Sequence, residues 1–134
     1  MSIVQWDETL SVGVREIDAQ HKGLLRLINE LHDSMAAGRS RETLGEVVSL
    51  LKDYAHSHFS TEEKYMRQTG FPGLEEHRLQ HESFIAKVRD FEQEISEGRT
   101  TPLEVVLFLL DWYVSHVKGV DRQYAGHLQS HGVS

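Results

Sequence analysis

The chain has 134 residues, room for one buried core but not two, and its 39% hydrophobic and 26% charged residues argue against disorder. A net charge of −7 speaks against nucleic acid or an anionic membrane as a partner, and the lack of cysteine excludes disulfides, thiolate zinc sites, iron–sulfur clusters and thiol nucleophiles. No signal peptide is visible and the longest apolar run, Val105 to Leu110, is too short to span a bilayer, so a cytoplasmic protein is expected.

Residues before Ile17 carry no helical stripe and are read as an extended arm, with Trp6 and Val12 packing against the bundle. From Ile17 to Met35 an apolar stripe of Ile17, Leu24, Leu25, Ile28, Leu31 and Met35 predicts a first helix, stopped by Gly38. Ser40 offers an N-cap for a second, which carries Leu44, Val47, Val48, Leu51, Tyr54, Ala55, Phe59 and Met66 and ends at the breaker Gly70-Phe71-Pro72-Gly73. A third runs from about Leu74 to Ser96, with Leu79, Phe84, Ile85, Val88, Phe91 and Ile95 expected to face inward. Thr101-Pro102-Leu103-Glu104 then marks a helix start, with an N-cap threonine, proline at the first helical position and a glutamate as in a capping box. The run from Val105 to Leu110 is apolar nearly all round, which suits a helix buried within a bundle. The expected fold is all-α, an up-down-up-down four-helix bundle with an N-terminal arm. It forms one domain over residues 1–134, with the arm over about 1–16 and the bundle over about 17–128.

The chain has nine histidines, and they are not scattered at random. His58 and Glu62 lie four apart on the second helix, His77 and His81 four apart on the third. A step of four turns a helix by roughly 400°, so each pair projects from one face. His21 shares the apolar side of the first helix with Ile17, Leu24, Leu25 and Ile28, and His116 lies beside Trp112 and Tyr113 on the fourth. A lone histidine on an apolar face is more often a satisfied core residue than a ligand. Four helices that each bring such groups inward are different, because each buried polar group left unpaired costs roughly 1–3 kcal/mol. A bound metal is the economical explanation. His32, His56, His127 and His131 are read as surface residues; His56, two residues before His58, is turned roughly 200° from that face.

A nitrogen-rich donor set with bridging-capable carboxylates suits iron, and also zinc, copper or manganese. Ferritin-like sites use Glu-x-x-His twice, and no histidine here has a glutamate three residues before it. The zinc-protease pattern His-Glu-x-x-His, a glycine-rich phosphate loop and Gly-x-Ser-x-Gly are likewise absent.

His21, His58-x-x-x-Glu62, His77-x-x-x-His81 and His116-x-x-x-x-Asp121 together resemble the ligand pattern of the hemerythrins, specifically single-domain bacteriohemerythrins. The resemblance covers nearly the whole chain, including Trp6-Asp7-Glu8, Val14-x-x-Ile17-Asp18-x-Gln20-His21, His58-Phe59-x-x-Glu62-Glu63 and Trp112-x-x-x-His116-Val117. It implies two iron ions with an oxo or hydroxo bridge, one held by His77, His81 and His116, the other by His21 and His58, with Glu62 and Asp121 bridging. It implies reversible dioxygen binding at the iron with two histidines. Two ferric ions with these ligands keep a formal charge of about +4, lowered to roughly +2 by an oxide bridge. The set leaves one coordination position for a small molecule.

His116 and Asp121 are five apart, which on a regular α-helix diverges by about 140°. An irregular backbone is therefore predicted over Val117 to Val120, for instance a π-bulge eased by Gly119. Tyr113 stands where the family usually has an aliphatic residue, often leucine. The plainer reading packs its ring in the core with the hydroxyl on a backbone group or water; the sharper one has the hydroxyl reach the bound oxygen species. Leu24, Leu25, Ile28, Phe59 and Tyr113 are the expected lining of the ligand pocket. Oxygen storage, delivery or sensing, without enzymatic turnover, is the leading expectation, and an oxygen-consuming acceptor protein is a candidate partner. The alternatives are a di-iron enzyme acting on peroxide or nitric oxide, and a signalling module, for which no output domain is present.

Overall fold

The structure is a computed structural model that describes residues 4–133, apart from the side chains of Ser40 and of residues 117–122. The arm is anchored rather than free. Asp7 caps a short 3-10 turn, Glu8–Leu10, by accepting from the Thr9 amide, and Leu10, Val12 and Val14 are buried. Asn29 fixes the start of the arm through both the N–H and the carbonyl of Val4, at 3.0 and 2.7 Å. Gly13 has a φ of 75°, and a Cβ there would run into the Gln129 amide, which donates to Val12 O. Only glycine meets both conditions.

Helix α1 is Arg15–Ala36, α2 is Ser40–Thr69 and α3 is Leu74–Ser96. The last rod is compound: α4 is Pro102–Trp112, a π-helical segment spans Tyr113–Val120, and α5 is Asp121–Ser130. No strand occurs among the described residues. Short loops join consecutive helices, and α1 packs on α2 and α4 while α2 packs on α3. This is the up-down-up-down four-helix bundle. No helix is long and apolar enough to cross a membrane, among the described residues.

Local chemistry explains the ends. Gly70 adopts φ 66°, letting the Phe71 amide reach back to Met66 O and close α2. Thr101 caps α4, its Oγ1 accepting from the Glu104 amide. Glu104 does not complete the capping box, since its carboxylate takes the Thr100 hydroxyl instead. Helix α2 begins at Ser40 itself, so Arg39 and not Ser40 occupies the N-cap position.

Three expectations are overturned. Leu79 is 65% exposed. It stands two residues from both His77 and His81, so the helix turns it roughly 200° from the face they define. Helix α4 is not buried all round: Leu107 is 56% and Leu103 50% exposed, because α4 packs inward through Val105, Val106 and Leu109. The stretch after the π segment is also more buried than the surface reading of His127 expects. Tyr124 and Leu128 are fully buried, and His127 Nε2 donates to Thr69 O at the end of α2.

The core has two apolar clusters. One contains Leu24, Leu25, Ile28, Phe59, Phe84, Leu109 and Tyr113; the other contains Val12, Val14, Ile17, Met66, Tyr124 and Leu128. On α1, α2 and the last rod the buried histidines and Glu62 fall between a member of one cluster and a member of the other, and on α3 His77 and His81 fall between Phe84 of the first and Leu74, which packs against the second.

Candidate metal centre

The layer between the clusters holds His21 from α1, His58 and Glu62 from α2, His77 and His81 from α3, and His116 from the π segment. All six are at least 97% buried. Glu62 is the hub. Its Oε1 is 2.9 Å from His58 Nε2 and 3.4 Å from His81 Nε2, and its Oε2 is 3.6 Å from His77 Nε2. His21 Nε2 and His58 Nε2 face each other at 3.1 Å. Two compact donor sets result: Glu62, His77, His81 and His116, and His21, His58 and Glu62. Within each set the donor atoms lie within 4.8 Å of one another. They share one carboxylate, the group whose two oxygens can span two ions.

Three of the imidazoles are held on two sides. The Nδ1–H of His58 donates to Gln20 Oε1 at 2.7 Å, that of His81 to Glu63 Oε2 at 3.0 Å, and that of His116 to Gln80 Oε1 at 2.9 Å. Each bond puts the proton on Nδ1 and leaves the Nε2 lone pair directed into the site, as a metal-binding histidine requires. An aromatic ring lies against each as well: Tyr54 on His58, Phe59 on His81 at 3.8 Å and 4°, and Trp112 on His116 at 4.0 Å and 14°. Gln20 is itself oriented, its amide donating to Thr61 Oγ1. Tyr124, buried against the His77 ring, donates its hydroxyl to Glu62 Oε2.

The electrostatics agree with this arrangement. Burial is the largest influence on the Glu62 carboxyl and would raise it. The surrounding His58, His77 and His81 imidazoles, His58 foremost, together outweigh it, holding Glu62 well below the usual carboxylate range. An ionised carboxylate amid five imidazoles is a donor set for cations. Donors about 2.1 Å from one ion and at right angles stand about 3 Å apart, close to the 3.1 Å between His21 and His58. His81 Nε2 is buried without a hydrogen bond, a cost that a cation would remove. The residues fit a metal that takes imidazole and carboxylate ligands, iron among them.

The structure therefore gathers six of the seven expected ligand residues in one layer. Asp121 begins α5, but its side chain lies outside the described residues. The backbone before it departs from α-geometry further than predicted, over Tyr113–Val120. In a π-helix residues five apart recur on one side, which is the register that positions 116 and 121 need. The five residues expected to line the pocket are all buried and belong to one apolar cluster. Of the histidines set aside, His56 and His131 are exposed and His32 and His127 half-buried.

Four residues of the site escape a reading by helical period: Gln20, Glu63, Gln80 and Tyr124. The first three adjoin a donor in sequence yet serve a donor on the next helix. Tyr124 pairs with Leu128 at a spacing of four, and two residues are too few to announce a face.

Residues 12–128 match the hemerythrin HHE cation binding domain family. A bacteriohemerythrin of Stenotrophomonas maltophilia is 31% identical over 131 residues, covering 98% of this chain and 85% of that protein. A myohemerythrin of Theromyzon tessulatum is 35% identical over 124 residues, covering 92% of each. A crystal structure of a hemerythrin with a leucine-to-tyrosine substitution aligns with a TM-score of 0.86 at 29% identity, covering 96% of this chain and 98% of that one. Wild-type hemerythrin aligns at 0.85 and 28% identity, covering 95% and 98%.

Proposed function

The chain belongs to the hemerythrin family, and on that premise we propose that it binds dioxygen reversibly at a non-haem di-iron centre. The observation that carries the proposal is the pair of buried donor sets meeting at Glu62. In this reading His77, His81 and His116 would hold one iron and His21 and His58 the other, with Glu62 and Asp121 as the shared carboxylates and an oxo or hydroxo bridge completing the centre. When bound, such a pair of irons would supply reversible two-electron chemistry toward a diatomic ligand.

The protein's own contribution is threefold. Gln20, Glu63 and Gln80 fix three imidazoles in the protonation state that leaves Nε2 to donate. Phe59, Tyr54 and Trp112 hold the ring planes. Leu24, Leu25, Ile28, Phe59 and Tyr113 form an apolar wall that keeps water from the ligand's side, favouring release of dioxygen over irreversible oxidation. The nitrogen-rich donor set and this dry wall support binding over turnover, in storage, delivery or sensing.

Metal analysis tests the assignment. Protein purified with its native metal is expected to contain two irons per chain, and Glu62→Ala to lose both, because each donor set loses its shared member. One tightly held zinc in the wild type, or undiminished iron in the variant, would contradict it.

A further inference from the structure

The supports behind the imidazoles follow one rule with one exception in charge. Gln20 on α1 serves His58 on α2, Glu63 on α2 serves His81 on α3, and Gln80 on α3 serves His116 on the π segment. Each supporting residue is the sequence neighbour of a donor on its own helix, so it lies about 100° round and reaches the adjacent helix. Two of the three acceptors are neutral amides. The third is a carboxylate.

The difference has a chemical consequence. An amide oxygen fixes the ring and its tautomer; a carboxylate does this and also draws the Nδ1 proton toward itself, making the imidazole a stronger donor at Nε2. The geometry gives Glu63 two separate tasks. Its Oε2 accepts from His81 at 3.0 Å, while its Oε1 lies 3.5 Å from Nε of Arg78, which also donates from Nη1 to Glu75 at 3.0 Å. The stacked Phe59 ring holds the His81 plane, so the bond to Glu63 stays in that plane. Arg78 is half-exposed and withdraws charge from Glu63, acting against the donation to His81.

We propose that Glu63 is a positioning residue that sets the redox balance of the centre. It makes His81 the strongest of the three supported donors, biases the metal that His81 would hold toward its ferric form, and is moderated by Arg78. The proposal rests on the di-iron reading.

Glu63→Gln keeps an acceptor of nearly the same size and removes the charge. It is expected to retain two irons, to raise the midpoint potential of the first one-electron reduction and to slow autoxidation several-fold. Arg78→Met removes the opposing charge and is expected to lower the potential and speed autoxidation. Glu63→Ala also removes the anchor and is expected to weaken ferrous affinity by about 10- to 100-fold. Glu75→Gln is the control: it removes an equal charge from the same ion-pair group but not from His81, and should move the potential much less than Glu63→Gln.

Shifts of opposite sign in Glu63→Gln and Arg78→Met, with a small one in Glu75→Gln, support the proposal. Shifts of the same sign, or a Glu63→Gln shift no larger than the control, overturn it. If Glu63→Gln fails to load iron, the sign in Arg78→Met decides. A wild-type protein without two irons overturns the di-iron reading itself, and so separates that failure from this one.

Discussion

Tyr113 and Tyr124 stand either side of His116 in the chain and relate to the site in different ways. Tyr124 donates to Glu62 from full burial, so its hydroxyl is the neutral partner that helps keep the carboxylate ionised. Tyr124→Phe leaves that oxygen without its donor, and is expected to cost the metal-free protein about 1–3 kcal/mol in a urea titration; an unchanged midpoint would show that another donor replaces it. Tyr113 sits in the apolar cluster with Leu24, Leu25, Ile28 and Phe59, its phenol pushed up by burial and then by the charge of Asp7 on the arm. It therefore stays a neutral hydroxyl at ordinary pH. Tyr113→Leu removes that hydroxyl from the wall and is expected to change the autoxidation rate several-fold; an identical rate would mean that the ring only packs. His58, Glu62, His77 and His81 were legible in the sequence because residues four apart on one helix announce a common face, and His21 and His116 because they share the apolar side of their helices. The supports Gln20, Glu63 and Gln80 were not, because each acts across a helix boundary that a one-dimensional period does not cross.

At the scale of elements, the last rod departs most from an ideal helix. Positions 116 and 121 are five apart, and the backbone answers with a π segment that starts at Tyr113, four residues before the predicted irregularity. Its existence was legible from spacing; its length was not, since a widened turn must be matched to α-helix at both ends. The start of α4 was legible in full as a capped, proline-led turn, apart from where Glu104 finds its partner. Thr101→Ala should cost about 1 kcal/mol of stability through loss of that cap, with iron content unchanged because the cap lies on an exposed turn apart from the buried layer; a drop in iron would tie the cap to the site. The exposure of Leu79 and Leu107 was missed for a shared reason. Apolar character alone says that a residue prefers burial, whereas the neighbouring helices decide which faces of α3 and α4 are covered.

On the scale of the whole molecule, a polar layer lies between two apolar clusters, and every rod of the bundle contributes to it. Both clusters bury large aliphatic and aromatic side chains, while the layer between them concentrates the imidazoles and the Glu62 carboxylate where water is scarce. Burying such groups is costly unless they bind something. A centre sealed in this way should exchange a small apolar ligand more readily than water, which is what reversible oxygen binding requires. The decisive measurement is the absorption spectrum of the iron-loaded, reduced protein followed through repeated admission and removal of dioxygen. A ligand-to-iron charge-transfer band should appear on exposure, vanish when dioxygen is removed, and return over several cycles with two irons retained per chain. A colourless protein, or a band that forms once and persists after dioxygen is withdrawn, would contradict reversible binding at a di-iron centre.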